Sequence, residues 1–154
     1  MKLRVTLGTD HDGFTIKNEL YARLRETYEI LDLATRNFEP TDDYPDFLRA
    51  VAWTVTSSQA ERGILICGKG VGTCIAANKV LGVRASLCHD TNSAQQGEEH
   101  DDMNNLCLGE RVIGVELATG LAIIFLNVSF SGEERHQHRL EKVSAIERQV
   151  LQKK

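Results

Sequence analysis

Residues 63–79 read GILICGKGVGTCIAANK, and this stretch decides the fold. Residues 63–67 are an unbroken apolar run of strand length. A run without alternating polar residues marks a strand buried on both faces, as in a parallel sheet covered by helices. Gly68, Gly70 and Gly72 then make a turn, and residues 73–80 are a helix of small side chains.

The same alternation continues outward. Residues 3–7 are an apolar run ending in Gly8-Thr9-Asp10, and residues 14–28 carry Phe14, Ile16, Leu20, Leu24 and Tyr28 near helical spacing. Residues 28–33 read as a second strand, the polar segment 35–45 with both prolines as a loop, and 46–58 as a helix. Downstream come a strand at 83–88, a polar helix at 91–99, a strand at 105–108, an apolar helix at 114–127 and a charged helix at 133–149. Five strands alternating with helices predict an α/β fold in three layers, a parallel sheet between two layers of helices. In such sheets the ligand lies beyond the carboxyl ends of the strands. The residues expected there are Asp10-His11, Cys67-Gly68 and His89-Asp90. Leu140, Val143, Ile146 and Val150 form one stripe of the last helix, which is longer and more polar than the sheet requires. That stripe is expected on a partner subunit.

The whole chain, residues 1–154, is expected to be one domain, large enough to fold without a disulfide or metal. Eighteen Lys and Arg against 22 Asp and Glu give a net charge of -4, with no basic block to bind nucleic acid or a membrane surface. No signal peptide or spanning segment is visible. Cys67, Cys74, Cys88 and Cys107 form no CxxC pair, so a disulfide or zinc framework is not expected and a reducing cytoplasm is the natural setting.

The glycine loop excludes three phosphate-binding patterns. Gly63 and Lys69 have P-loop spacing, but residues 64–67 are strand, and Gly70 stands where the magnesium-binding hydroxyl belongs. Thr73 occupies both the third glycine of GxGxxG and the arginine of a Cys-x5-Arg phosphatase loop. What remains is Cys67 at a strand end facing a ring of amides. A helix dipole and nearby cations favour thiolate in such a place, which suits a nucleophile or general base. A buried cysteine beside a tight turn explains the same spacing.

Other groups are weaker singly. Asp10 and His11 are site candidates, or else a helix cap, for which Asp12 would serve, with a satisfied histidine. His100, Asp101 and Asp102 with Glu98 and Glu99 read as a solvated helix end before a metal site. Arg135 and Arg139 share a helix face and can hold a phosphate, although Glu133 and Glu134 also make an ordinary ion-paired surface. His136 and His138, two apart, diverge on a helix and do not chelate.

Taken together, Thr9-Asp10-His11-Asp12-Gly13-Phe14, Asp43-Tyr44-Pro45, the 63–72 segment, Ile75 through Lys79, His100 and the Arg135-His136-x-x-Arg139 motif resemble the ribose-5-phosphate isomerase B family. That group also holds galactose-6-phosphate isomerase subunits and tetrulose-phosphate isomerases. The resemblance implies a Rossmann-like homodimer, sometimes a tetramer, with sites at the subunit interface. It implies metal-free, cofactor-free interconversion of ribose 5-phosphate and ribulose 5-phosphate in the pentose phosphate pathway. Cys67 would be the base and His100 the acid that opens the sugar ring. The amides of Gly68, Lys69, Gly70, Val71 and Gly72 would hold the enediolate. Asp10, His11, Tyr44 and Asp101 would bind the substrate, and Arg111, Arg135 and Arg139 its phosphate. Lys69 and Asp101 depart from the family's usual Thr or Ser and Asn, and are expected to pair across the interface. The same chemistry on a tetrulose 4-phosphate or galactose 6-phosphate is the alternative, ahead of a phosphate-binding module without turnover.

Overall fold

The computed structural model describes residues 1–33, 41 and 43–153. Strands β1 (Arg4–Thr9), β2 (Glu29–Asp32), β3 (Arg62–Cys67), β4 (Ala85–Leu87) and β5 (Asn105–Gly109) form one parallel sheet in the order β2-β1-β3-β5-β4. Parallel neighbours need long crossovers. These are supplied by α1 (Phe14–Leu24), α2 (Tyr44–Thr56), α3 (Val71–Ala77) and α4 (Thr91–Asp101), while α5 (Val115–Asn127) and α6 (Glu134–Gln152) complete the chain.

Period-two alternation divides each central strand between two cores. Val5, Leu7, Ile64, Ile66, Leu106 and Leu108 face α1, α4 and α5, where Leu20, Ala94, Leu121 and Phe125 meet them. Leu65 and Cys107 face the opposite layer, with Leu48, Val51 and Ala52 of α2 and Ala77 of α3. Burial on both faces is why residues 64–67 of β3 and 106–108 of β5 are all apolar. Among the described residues, no helix is long and apolar enough to cross a membrane.

Several boundaries differ from the sequence reading, α3 among them, which runs from Val71 to Ala77 and not over 73–80. Helix α1 stops at Leu24 and is closed by a turn in which the Thr27 and Tyr28 N–H groups both donate to the Leu24 carbonyl, at 3.0 and 2.9 Å. Tyr28 is buried through a turn, its hydroxyl 3.1 Å from Asn127 Oδ1, so its apolar ring imitates another helical position. Helix α2 begins at Tyr44 and takes Pro45 into its first turn, where a missing N–H costs nothing. Residues 35–40 and 42 of the expected loop lie outside the described residues. Strand β4 keeps only three of its six expected residues.

The expectation of a solvated end for α4 fails at Glu98. Its side chain faces the sheet one turn after Ala94 and is 0 % exposed. Arg62, opening β3, donates to Glu98 Oε1 at 2.5 Å and lies 5.6 Å over the Phe125 ring. Glu98 Oε2 has no hydrogen-bond partner among the described residues. Burial, opposed by Arg62, pushes the Glu98 pKa from 4.5 up to about 7. Between those pH values the folded state holds a proton that the unfolded chain has released, so stability falls as pH rises. The whole effect is up to roughly 3 kcal/mol, at about 1.4 kcal/mol per pKa unit. We expect urea unfolding at pH 5 and pH 7.5 to show this loss in the wild type and most of it to vanish in Glu98→Gln. Equal pH dependence in the two proteins would place the titration elsewhere.

Candidate active site

The chain leaves β1 toward β2 and returns on the other side of β1 as β3, so the sheet reverses direction between β1 and β3. A crevice outside the carboxyl ends of strands forms at such a reversal. Asp10, just past β1, caps a short 3-10 turn at His11–Gly13, its Oδ1 accepting the Asp12 N–H at 2.9 Å. The cap is thus Asp10 and not Asp12. Asp12 is used differently: its carboxylate is 3.5 Å from His11 Nε2 and accepts from Arg111 Nη2 at 2.7 Å. Arg111 and Asp12 both border Gly68, each 3.3 Å from where a Cβ would stand.

Cys67 ends β3 with its side chain turned under the loop, 7 % exposed. Its sulfur accepts the Gly70 N–H at 3.1 Å and lies 3.6 Å from Thr73 Oγ1. Thr73 in turn donates to the Gly70 carbonyl at 3.0 Å. The sulfur is therefore an acceptor here, as a base must be. The loop carbonyls are taken by the exit of β5: Glu110 N–H donates to Cys67 O and Arg111 N–H to Gly68 O, each at 2.9 Å. The amides that open α3 have no intrahelical acceptors. Tyr44 stands at the start of α2 with its ring against Gly72, 2.9 Å from a Cβ built there. Val71 and Lys69 are exposed at the rim. The backbone of Lys69 packs on Gly109, whose N–H donates to His89 Nε2 at 3.0 Å. Burial lowers the His89 pKa, in keeping with a neutral acceptor.

Gly70 takes φ +78°, and a Cβ there would lie 2.5 Å from Leu87 Cδ1 and 2.9 Å from the Leu108 carbonyl carbon. Left-handed backbone alone costs a side-chain-bearing residue roughly 1–2 kcal/mol, and the strand carbonyl cannot move aside. Gly70→Ala is expected to lose at least about 2 kcal/mol in urea unfolding and to displace the amide facing Cys67. A variant of wild-type stability would mean that the turn relaxes without cost.

The remaining predicted residues lie elsewhere. Helix α4 runs antiparallel to the strands, so His100 in its last turn reaches the amino edge of the sheet, just before β5 begins at Asn105. Cys67 pairs with Gly109 at the other end of β5. At about 3.3 Å per residue, β5 alone holds the two edges roughly 13 Å apart. His100 stacks on His136 of α6, ring centroids 4.2 Å apart and planes inclined by 29°. His136 is 2 % exposed, and its Nδ1 is 2.6 Å from Ser131 Oγ. Arg135 is exposed and pairs with Glu133 at 2.8 Å, and Arg139 is exposed one turn further on. Asp101 lines a cleft of about 650 Å³ beside the apolar stripe of α6, together with Lys79, Arg84 and Glu147.

The structure therefore brings Asp10, His11, Tyr44, Cys67, Arg111 and the loop from Gly68 through Lys69, Gly70 and Val71 to Gly72 to one edge of the sheet. It leaves His100, Asp101, Arg135 and Arg139 at the other. Sequence reasoning missed His136 and Thr73 as members of these groups, whereas His89 lies at the strand-end edge where it was expected. His136 had a signal: with Leu140 and Val143 it makes i, i+4, i+7, on the apolar stripe of α6.

A parallel α/β sheet with a thiol and a helix-opening amide loop at its reversal point is built for acid–base work on a small anionic molecule. The chain belongs to the Ribose/Galactose Isomerase family, whose model matches residues 5–143. Ribose-5-phosphate isomerase B of Escherichia coli is 43% identical over 145 residues, spanning 94% of this chain and 96% of that protein. The type B ribose 5-phosphate isomerase structure from Trypanosoma cruzi superimposes with a TM-score of 0.93 at 44% identity, covering 97% of this chain and 99% of that one. A D-erythrulose-4-phosphate isomerase of Pectobacterium atrosepticum is 35% identical over 96% of this chain and 97% of its own length.

Proposed function

We propose that this chain, as one isomerase domain, interconverts D-ribose 5-phosphate and D-ribulose 5-phosphate. The observation that carries this is the Cys67 sulfur held as an acceptor inside a helix-opening amide loop, in a chain of an isomerase family. In the open-chain aldose, Cys67 removes the proton from C2 and returns it to C1. The proton of the C2 hydroxyl passes to O1, so aldose and ketose differ only in proton positions. The amides of residues 68–72 face the oxygen that becomes negative, as a preorganised oxyanion site does. When the furanose opens, the C1–O4 bond breaks, His100 supplies the proton to the ring oxygen, and the anomeric hydroxyl releases its own proton to water as the C1 carbonyl forms. Tyr44, Asp10 and His11 line the sugar site. Arg111, Arg135 and Arg139 anchor the phosphate, away from the reacting carbons, where binding energy positions the substrate.

One chain cannot complete this constellation, because His100 and the Arg135–Arg139 face lie across the sheet from Cys67. We take the working form to be a homodimer, itself free to pair into a tetramer, in which each copy lends those groups to the other. The exposed stripe of Val143, Ile146 and Val150 supports such a contact. Lys69, on the Cys67 edge, would then meet Asp101 of the other copy, keeping the site's net charge. Asp101→Asn should lower turnover several-fold in the wild-type background and have no effect beside Lys69→Thr; equal effects in both backgrounds sink the pairing. Four free cysteines suit a reducing cytoplasm.

The test is isomerisation of ribose 5-phosphate by purified protein in the presence of a chelator, beside isomerisation of erythrulose 4-phosphate and of galactose 6-phosphate. The proposal expects the highest kcat/KM with ribose 5-phosphate. The Pectobacterium relative favours a second reading, the same chemistry on a tetrulose 4-phosphate; a reversed ranking would select it.

A further inference from the structure

We infer that His136 is a positioning residue that sets the ring of His100 for proton delivery to the sugar ring oxygen. This rests on the proposed role of His100. An imidazole turns freely about its last torsion, which is broad and two-fold. A proton donor has to present one nitrogen within hydrogen-bond reach of one oxygen, so an unheld ring is a poor one. His100 is held by its face: the His136 ring lies 4.2 Å away and nearly parallel. His136 is itself held in place. It is buried, its Nδ1 meets Ser131 Oγ at 2.6 Å, and its own N–H donates to the Glu133 carbonyl at 2.9 Å. Ser131 is fixed by accepting the Glu133 N–H at 3.2 Å and by donating its backbone N–H to the Glu99 carbonyl at 2.9 Å. Glu99 is the residue before His100. Ser131 and His136 thus form a closed bracket from the backbone of α4 to the face of its His100. A face contact leaves the nitrogens on the ring edge unobstructed, which a hydrogen bond to either of them would not.

Only the furanose substrate needs ring opening. Ribulose 5-phosphate is open-chain, because the phosphate occupies the oxygen that would close its ring. Deuterium exchange at C1 of ribulose 5-phosphate in D2O therefore reports on Cys67 and the amide loop alone. For His136→Ala we expect kcat for ribose 5-phosphate to fall roughly 10- to 100-fold, the scale of an ångström's misplacement. C1 exchange should stay within about two-fold of wild type, because it needs no proton from His100. His136→Phe, which keeps a flat face against His100, should recover most of the turnover. Equal loss of exchange and turnover in both variants would make His136 merely structural and overturn the inference. His100→Asn separates the two levels. If it spares ribose 5-phosphate turnover, the acid assignment itself fails. If it is selectively impaired and His136→Ala is not, the positioning role alone falls.

Discussion

Cys67→Ser is expected to lower isomerisation of ribose 5-phosphate by roughly 10³- to 10⁴-fold, toward the upper range of general-base contributions, and to leave the fold in place. Serine is the sharper probe than alanine. Its oxygen can still accept the Gly70 N–H that the sulfur accepts at 3.1 Å, so the amide loop keeps its shape. An alcohol, however, is a far poorer proton acceptor at neutral pH than a thiolate. Cys67→Ala removes the acceptor as well, leaving the Gly70 amide unpaired in a buried turn, and should cost a further 1–3 kcal/mol of stability. The ordered outcome, both variants inactive and only alanine destabilised, identifies the thiol as the base. Retention of more than about a tenth of wild-type turnover by Cys67→Ser would return Cys67 to a buried cysteine beside a tight turn, given the size expected of a base. Deuterium exchange at C1 of ribulose 5-phosphate should fall with turnover in both variants, in contrast to the His136 variants.

The parts of the fold legible in the sequence are those where one physical requirement dominates. Residues 63–67 read as a doubly buried strand because both faces of β3 are covered, by α1 and α5 on one side and α2 and α3 on the other. The same strand assignment removed the P-loop reading, and β3 indeed extends through Cys67. Tyr28 was misread because an apolar residue at helical spacing looks the same whether it continues a helix or enters the core after a turn. Glu98 was misread because carboxylates at a helix end are ordinarily solvated, and its partner Arg62 is distant in sequence. Arg135 matches its reading as an ion-paired surface residue: it pairs with Glu133 and stands exposed. Residue types named the candidate members of the site. They could not give the strand order or the direction of α4, and those put His100 on the far edge of the sheet from Cys67.

That separation makes the strongest prediction about assembly. A mixture of Cys67→Ala and His100→Asn chains, co-expressed or exchanged under mild denaturant, should regain activity that neither variant has alone. In a C2 dimer that shares its sites, a hybrid has one site combining both lesions and one combining both intact residues. Random pairing makes about half the dimers hybrids, each with one working site of two, so the mixture should reach about a quarter of wild-type turnover. Sites confined to one chain allow no such recovery, because every chain carries a lesion. The stripe on α6 supplies a control with the opposite sign. Ile146→Glu places a charge on an apolar residue 64% exposed in the single chain, where it costs the isolated fold little. Buried against a second copy, an unpaired charge is expensive. The Ile146→Glu chain should fold, remain monomeric and lack turnover, although Cys67, His100 and every arginine are intact. A monomer that retained activity would show that the two edges of the sheet meet within one chain by a rearrangement, and the shared site would be lost.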